Sequence, residues 1–246
     1  MIKVYKFNKN KLGDIRYVLC DFDRTISTNE SDSTWDLFRK SDLVDPLFKE
    51  ESDKLFQLYR PIEVSPLIPQ EMKAKYMEDW AILQFELLKK YISFSLFNQL
   101  INEDIIKLRY DFKEFIELLY EKRIPLYIVS GGIYQPIISA LKRNDCFNEL
   151  IHVTSNKVIN NDDKIVGISK PIIHSQNKKD IKLGLNSTDL GLLFGDLPKD
   201  IDMGYNLNTI NCAFADEENS YLYNKFDFIL TENSSFTNIS KILIKK

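Results

Sequence analysis

Cysteine is scarce in this chain: Cys20, Cys146 and Cys212 are all that 246 residues contain. Their number is odd, they lie far apart and they show no metal-ligand spacing. A disulfide framework and a thiolate metal site are therefore excluded as organising principles, and buried free thiols in a reducing compartment are predicted. Long apolar runs are also missing; none approaches the ~18–20 residues that cross a bilayer. The start, Met1-Ile2-Lys3-Val4-Tyr5-Lys6, has no apolar signal-peptide stretch. The expectation is a cytoplasmic protein with no membrane partner, a monomer or weak homo-oligomer. Positive charge is in short supply as well, with 33 Lys and Arg against 36 Asp and Glu and a net charge of −3. Without a basic excess there is no strong counterion-release term, so nucleic acid is not an expected partner. Only two histidines occur, His152 and His174, and structural roles are predicted for both. No internal repeat and no low-complexity segment is visible.

The composition that remains, 44% apolar and 28% charged, suits a globular protein with a sizeable core. One stretch dominates it. Tyr17-Val18-Leu19-Cys20 reads as a strand buried on both faces, and it ends in Asp21 and Asp23, with Thr25 two residues further on. Side chains two apart on an extended chain can point the same way. Two neighbouring carboxylates repel unless a cation lies between them or one is protonated. A hard divalent cation with oxygen ligands, Mg²⁺ first among them, would resolve that repulsion; a strand that merely ends in a polar turn is the alternative.

Along the chain, residues 1–16 are polar and lysine-rich, suited to an edge strand or to little fixed structure. Residues 29–101 are predicted to form a small helical cap inserted after the first strand, with residues 1–28 and 102–246 as the sheet domain. Within the cap, Arg60 to Pro69 carries three prolines and is predicted to be non-helical, followed by a helix from Gln70 to Tyr91. Trp35, Trp80 and Phe85 are expected in the cap core. After the cap, helix and strand alternate: helices over 105–120, 134–143 and 177–185, and strands over 125–129, 150–154, 190–194, 209–214 and 226–230. A hairpin turn is expected at Asn160-Asn161-Asp162-Asp163. Further helices are expected between strands 190–194 and 209–214, between the last two strands, and after them. This order predicts an α/β fold with a Rossmann-like parallel sheet covered by helices on both faces.

Sites in such sheets lie beyond the carboxyl ends of the strands. Three apolar strands end in polar signatures: Asp21-Phe22-Asp23-Arg24-Thr25, Ser130-Gly131-Gly132 and Gly195-Asp196-Leu197-Pro198-Lys199-Asp200. Between the last two stands Asn177-Lys178-Lys179-Asp180. In this order the four resemble the motifs of the haloacid dehalogenase-like phosphatase superfamily. Ile62-Glu63-Val64-Ser65-Pro66, Tyr76-Met77-Glu78-Asp79-Trp80, Ile128-Val129-Ser130-Gly131-Gly132-Ile133 and Ile173-His174-Ser175-Gln176-Asn177-Lys178-Lys179-Asp180 are similar, within it, to the type III cytosolic pyrimidine 5′-nucleotidases.

The resemblance implies a Mg²⁺-dependent phosphomonoesterase that forms an aspartyl-phosphate, with a nucleotide or other small phosphate ester as substrate. Asp21 would be the nucleophile and Asp23 the general acid and base. Asp21, the backbone carbonyl of Asp23 and Asp196 would hold the metal. Ser130, the N–H of Gly131 and Thr25 would serve the phosphate, Lys178 would neutralise charge, and Asp200 would orient Lys178 or a water. Asp79 is the expected specificity residue in the cap. Lys179 is expected to be solvated, and Arg24 exposed. The fourth motif departs from the family's pattern, with Leu197 and Lys199 in place of a serine and a glycine, which puts the geometry around the metal and the substrate preference in question. A phosphoserine-phosphatase-like enzyme on another metabolite, and a non-catalytic relative that binds a phosphorylated ligand, are the competing readings.

Overall fold

The computed structural model describes residues 2–4, 14–103, 106–215, 223–231 and 235–243. Nine strands are present among them: β1 Ile2–Val4, β2 Ile15–Cys20, β3 Leu126–Ile133, β4 Ile151–Asn156, β5 Val158–Asn161, β6 Lys164–Ile168, β7 Leu190–Gly195, β8 Asn208–Phe214 and β9 Phe228–Leu230. The main sheet has the order β1-β9-β8-β7-β2-β3-β4. All its pairings are parallel except β1 with β9. This is the predicted Rossmann-like sheet, with the lysine-rich start contributing an antiparallel edge strand. β5 and β6 form the expected hairpin around Asn160 to Asp163.

Strand β2 is central and shows why its sequence is apolar on both sides. Val18 and Cys20 pack into one cluster with Phe112, Phe115 and Phe236. Tyr17 and Leu19 pack into another with Val129, Leu193 and Met203 on the opposite face. Helices α5 (Phe112–Glu121) and α7 (Phe236–Leu243) cover the first face, their Phe115 and Phe236 rings stacked at 5.0 Å. Helix α6, Tyr134–Arg143, follows β3 as predicted.

Before β3 the chain forms α1 (Asp36–Arg39), α2 (Pro46–Val64), α3 (Gln70–Tyr91) and α4 (Phe94–Glu103). Asp45 caps α2 by accepting the Leu47 N–H at 2.8 Å, with Pro46 in the first turn. Tyr59 of α2 stacks on Trp80 of α3. No helix among the described residues is long and apolar enough to cross a membrane.

Four expectations need correction. Helix α2 runs through Arg60 and Pro61 to Val64, leaving only Ser65 to Pro69 as the non-helical link. Proline forfeits one hydrogen bond near the end of a 19-residue helix, and the surrounding turns outweigh that loss. The segment before α5 is extended rather than helical over 106–109. Its Lys107 C=O accepts from Thr28 N–H at 2.9 Å, and its Arg109 N–H donates to Ile26 C=O at 2.9 Å, so pairing with the loop after β2 prevails. Residues 177–185 form only a single 3₁₀ turn, Lys178–Asp180. Ile181, Leu183 and Leu185 then bury part of their surface at every second position, the period of extended chain. A 3₁₀ turn, Pro198–Gly204, also stands where the helix after β7 was expected. The helix expected between β8 and β9 falls largely outside the described residues.

Candidate active site

Strands β3, β2 and β7 are adjacent and parallel, so their carboxyl ends bring the three polar signatures together. Asp21 leaves β2 with its N–H donating to the Phe194 carbonyl at 3.0 Å. Lys178 reaches the same point from its 3₁₀ turn. Its Nζ donates to Asp21 Oδ1 at 2.6 Å and to Asp200 Oδ1 at 2.7 Å, and all three side chains are buried. The second oxygen of Asp200 accepts the N–H groups of Asp196 and Leu197 at 3.0 and 2.8 Å. That carboxylate therefore fixes both the lysine and the turn after β7. The hydrogen bond comes from the Leu197 main chain, so the turn is held without a serine side chain there. Lys199 pairs with Asp202 away from the site.

Gly195 makes this packing possible, since a Cβ placed there would lie 2.3 Å from Asp200 Cβ. Gly195→Ala is expected to displace Asp200 and cost about 1–3 kcal/mol of stability, the usual range for overpacking. Urea unfolding of the two proteins would measure it, and an unchanged midpoint would contradict this packing.

Burial pushes the Asp21 carboxyl up to about 7, against the pull of Lys178. Asp196 is raised well above the ordinary carboxylate range by burial and by the charges of Asp200 and Asp21. Burial pulls Lys178 down, but Asp200 and Asp21 outweigh it and hold the ammonium charged. Three carboxylates thus share one buried ammonium, an excess of negative charge that exposed Arg24 offsets only in part.

That excess matches a hard cation. Asp21, Asp196 and Asp200 each offer an oxygen within 4.8 Å of the others. Asp21 keeps one oxygen without a protein partner beside the one on Lys178. Among the described residues the Asp196 carboxylate accepts only from Thr25 Oγ1, at 3.3 Å, and its main-chain carbonyl accepts from the Tyr223 hydroxyl. Asp200 spends both of its oxygens on Lys178 and on main-chain N–H groups. The free oxygens therefore belong to Asp21 and Asp196, all-oxygen donors of the type that Mg²⁺ or Ca²⁺ takes.

Asp23 stands apart from this cluster. Both of its oxygens accept from Thr34, Oδ1 from the N–H and Oδ2 from the hydroxyl, each at 2.9 Å. Burial raises its carboxyl above the usual range although both of these bonds lower it. Ser130 and Gly131 lie across the site on β3, the Ser130 hydroxyl accepting the Gly132 N–H at 3.0 Å. Buried Asn156 joins this turn to the lysine loop by donating to the carbonyls of Gly131 and Ile173 at 2.9 and 2.8 Å.

Above these groups is a cavity of about 220 Å³ whose floor includes Asp21, Asp23, Ser130, Gly131, Lys178 and Asp196. Its other walls come from α2 and α3, including Phe56, Arg60, Glu63, Trp80 and Gln84. Trp35 and Trp80, expected as core, both line it. So does His174, whose Nδ1 accepts the Gln176 N–H. Arg24 is exposed and also on the wall, and Lys179 is exposed. His152 is exposed and stacks on Tyr127. Asp79 is not among the lining residues. Glu63, missed in the sequence because it sits in a proline-rich stretch, faces the cavity, paired with Arg60 and accepting from Ser175 Oγ at 2.7 Å.

A family model described as pyrimidine 5′-nucleotidase (UMPH-1) matches residues 19–245. The 7-methylguanosine phosphate-specific 5′-nucleotidase of Drosophila melanogaster is 28% identical over 201 residues, 76% of this chain and 63% of that protein. The chain thus spans less than two thirds of that relative's length. Among solved structures, cytosolic 5′-nucleotidase IIIB bound to cytidine is similar with a TM-score of 0.78 and 26% identity, over 92% of this chain and 84% of that one. A phospho-aspartyl intermediate analogue of phosphoserine phosphatase shares the fold, with a TM-score of 0.62 and 20% identity over 94% and 100% of the two chains.

Proposed function

The chain belongs to the pyrimidine 5′-nucleotidase (UMPH-1) family, and from that premise we propose that it is a Mg²⁺-dependent phosphomonoester hydrolase acting on a pyrimidine nucleoside 5′-monophosphate. The observation that carries the reading is the buried Asp21–Lys178–Asp200 chain at the floor of a cavity large enough to admit a small ester. In this reading residues 1–28 and 102–246 are the catalytic core, and 29–101 are a cap that shapes the substrate end. A cytoplasmic setting belongs to the same proposal; the name of the cytidine-bound neighbour says as much of that protein.

Asp21 attacks phosphorus. The P–O ester bond breaks, and the departing 5′ oxygen takes a proton from the Asp23 carboxyl, which leaves a phosphoryl group on Asp21. Water then attacks that phosphoryl group, gives a proton to Asp23 and releases orthophosphate. Ser130 and the Gly131 N–H serve the phosphate end, and the Lys178 ammonium neutralises charge on Asp21 and the phosphoryl oxygens. Thr25, expected at the phosphate, is wholly buried outside the cavity lining and holds Asp196 through its hydroxyl instead. Asp21, Asp196 and the Asp23 carbonyl would hold Mg²⁺, which when bound supplies positive charge to the carboxylates and the phosphate.

A second base is favoured by a specific observation. The fly relative is named for 7-methylguanosine phosphate, and the cavity walls present Trp35, Trp80 and the carboxylate of Glu63. Aromatic faces suit a cationic base such as 7-methylguanine, whereas the Glu63 carboxylate is already shared with Arg60 and Ser175. Phosphate release from CMP, UMP, 7-methylguanosine monophosphate and phosphoserine separates the readings. Turnover of the first two, dependent on Mg²⁺ and stopped by EDTA, is the expected result. Preference for the methylated nucleotide would move the base assignment, and preference for phosphoserine would overturn the nucleotidase reading. Tight nucleotide binding without turnover would leave a binding protein.

A further inference from the structure

Asp23 must present a proton to the leaving oxygen, yet a carboxyl group turns easily about its last bond, which has a broad torsional well. Here one residue holds both of its oxygens. The Thr34 N–H donates to Oδ1 and the Thr34 hydroxyl to Oδ2, each at 2.9 Å. The direction of the hydroxyl is set independently, because Thr34 Oγ1 accepts the Ile133 N–H at 3.1 Å. Its own hydrogen is therefore left for Asp23. Thr34 is wholly buried.

The turn after β3 is shaped around this contact. A Cβ at Gly132 would lie 2.2 Å from Thr34 Oγ1 and 2.8 Å from Asp23 Oδ2, so any side chain there would push the pair apart. The glycine pair in Ser130-Gly131-Gly132 thus has two separate uses. Both line the cavity, and Gly132 in addition leaves room for the clamp.

We infer that Thr34 is the positioning residue that fixes the plane of the Asp23 carboxyl for proton transfer to the leaving oxygen. The inference rests on the proposed phosphomonoester hydrolysis and adds to it a residue outside the four motifs. The proton passes from Asp23 to the nucleoside 5′ oxygen as the P–O bond breaks, and returns from water when the phosphoryl group leaves Asp21. Thr34 itself neither gains nor loses a proton. A misaimed acid slows only a leaving group that needs protonation. An alkoxide such as the ribose 5′ oxygen needs it, whereas p-nitrophenolate departs without it.

The test compares native protein, Thr34→Val, Thr34→Ser and Asp23→Asn on CMP and p-nitrophenyl phosphate with Mg²⁺. Thr34→Val is expected to lower kcat on CMP about 10²-fold, the scale of a small misplacement of a reacting group. On p-nitrophenyl phosphate the loss should be several-fold at most, and Asp23→Asn should show the same split between substrates. Thr34→Ser keeps the hydroxyl and should restore turnover of CMP. Equal losses on both substrates, or a serine variant no better than valine, would overturn the positioning role. Should Thr34→Val fold poorly, Thr34→Ala, which removes the hydroxyl without adding an apolar group beside Asp23, takes its place. Relative to native protein, a loss on CMP alone with Thr34→Ser near native on both esters supports the clamp; equal losses on both esters, or a serine variant as slow on CMP as alanine, overturn it. Native protein inert on both esters would remove the proposed function and this inference with it.

Discussion

Asp21→Asn is expected to lower phosphate release from CMP by about 10⁴-fold or more, the scale on which loss of a covalent nucleophile disables an enzyme. An amide has no anionic oxygen to attack phosphorus. The metal-free fold should be unharmed by the change, or even strengthened. A carboxyl whose folded pKa lies above its unfolded value favours folding when protonated and opposes it when ionised. Asp21 is such a group, pushed up to about 7 by burial despite Lys178. Stability is therefore present below the unfolded value near 3.8 and is lost as pH rises through about 7; the neutral amide escapes that loss. A malachite-green phosphate assay and a thermal melt at neutral pH in EDTA check both halves. Turnover surviving the substitution would sink the nucleophile assignment. A strongly lowered melting temperature would contradict the charge balance described for this site.

Lys178→Met should act in the opposite direction on stability. The ammonium bridges Asp21 and Asp200 from a position only 4% exposed. Removing one member of a buried ionic group leaves its partners uncompensated, at about 3–5 kcal/mol. Activity should fall as well, by about 10²- to 10³-fold, as when one preorganised electrostatic donor is lost. Urea unfolding in EDTA measures the first effect and steady-state assays with Mg²⁺ the second. A lysine variant as stable as the native protein would mean that Asp21 and Asp200 do not depend on it.

The parts of the site legible in the sequence were those written into buried strands. β2 and β7 are apolar on both faces, so Asp21, Asp23 and Asp196 stand out where each run stops. Lys178 was legible as a motif member, although its expected helix is a single turn followed by extended chain at Ile181, Leu183 and Leu185. Arg60–Pro61 was misleading because local proline preference counts for little inside a long helix packed on its neighbour. The segment 106–109 was misleading because its pattern is also that of a strand paired with residues 26–28. Asp79 and Glu63 were told apart only by tertiary structure: both belong to α2–α3, but Glu63 alone of the two lines the cavity. Thr34 had no signal at all, since its partners Asp23 and Ile133 lie 11 and 99 positions away.

The placement of β2 has a bearing on how the chain folds. Its Leu19 pairs with Tyr127 on one side and with Leu193 on the other, 108 and 174 positions further along, so this strand gains its neighbours only through long-range closure. Contacts this distant in sequence slow folding and keep an apolar strand exposed meanwhile. Asp21 meets Lys178 and Asp200 only when that closure is complete. Recovery of phosphatase activity during refolding would thus be a late event, following the return of helical signal from the locally formed α2 and α3.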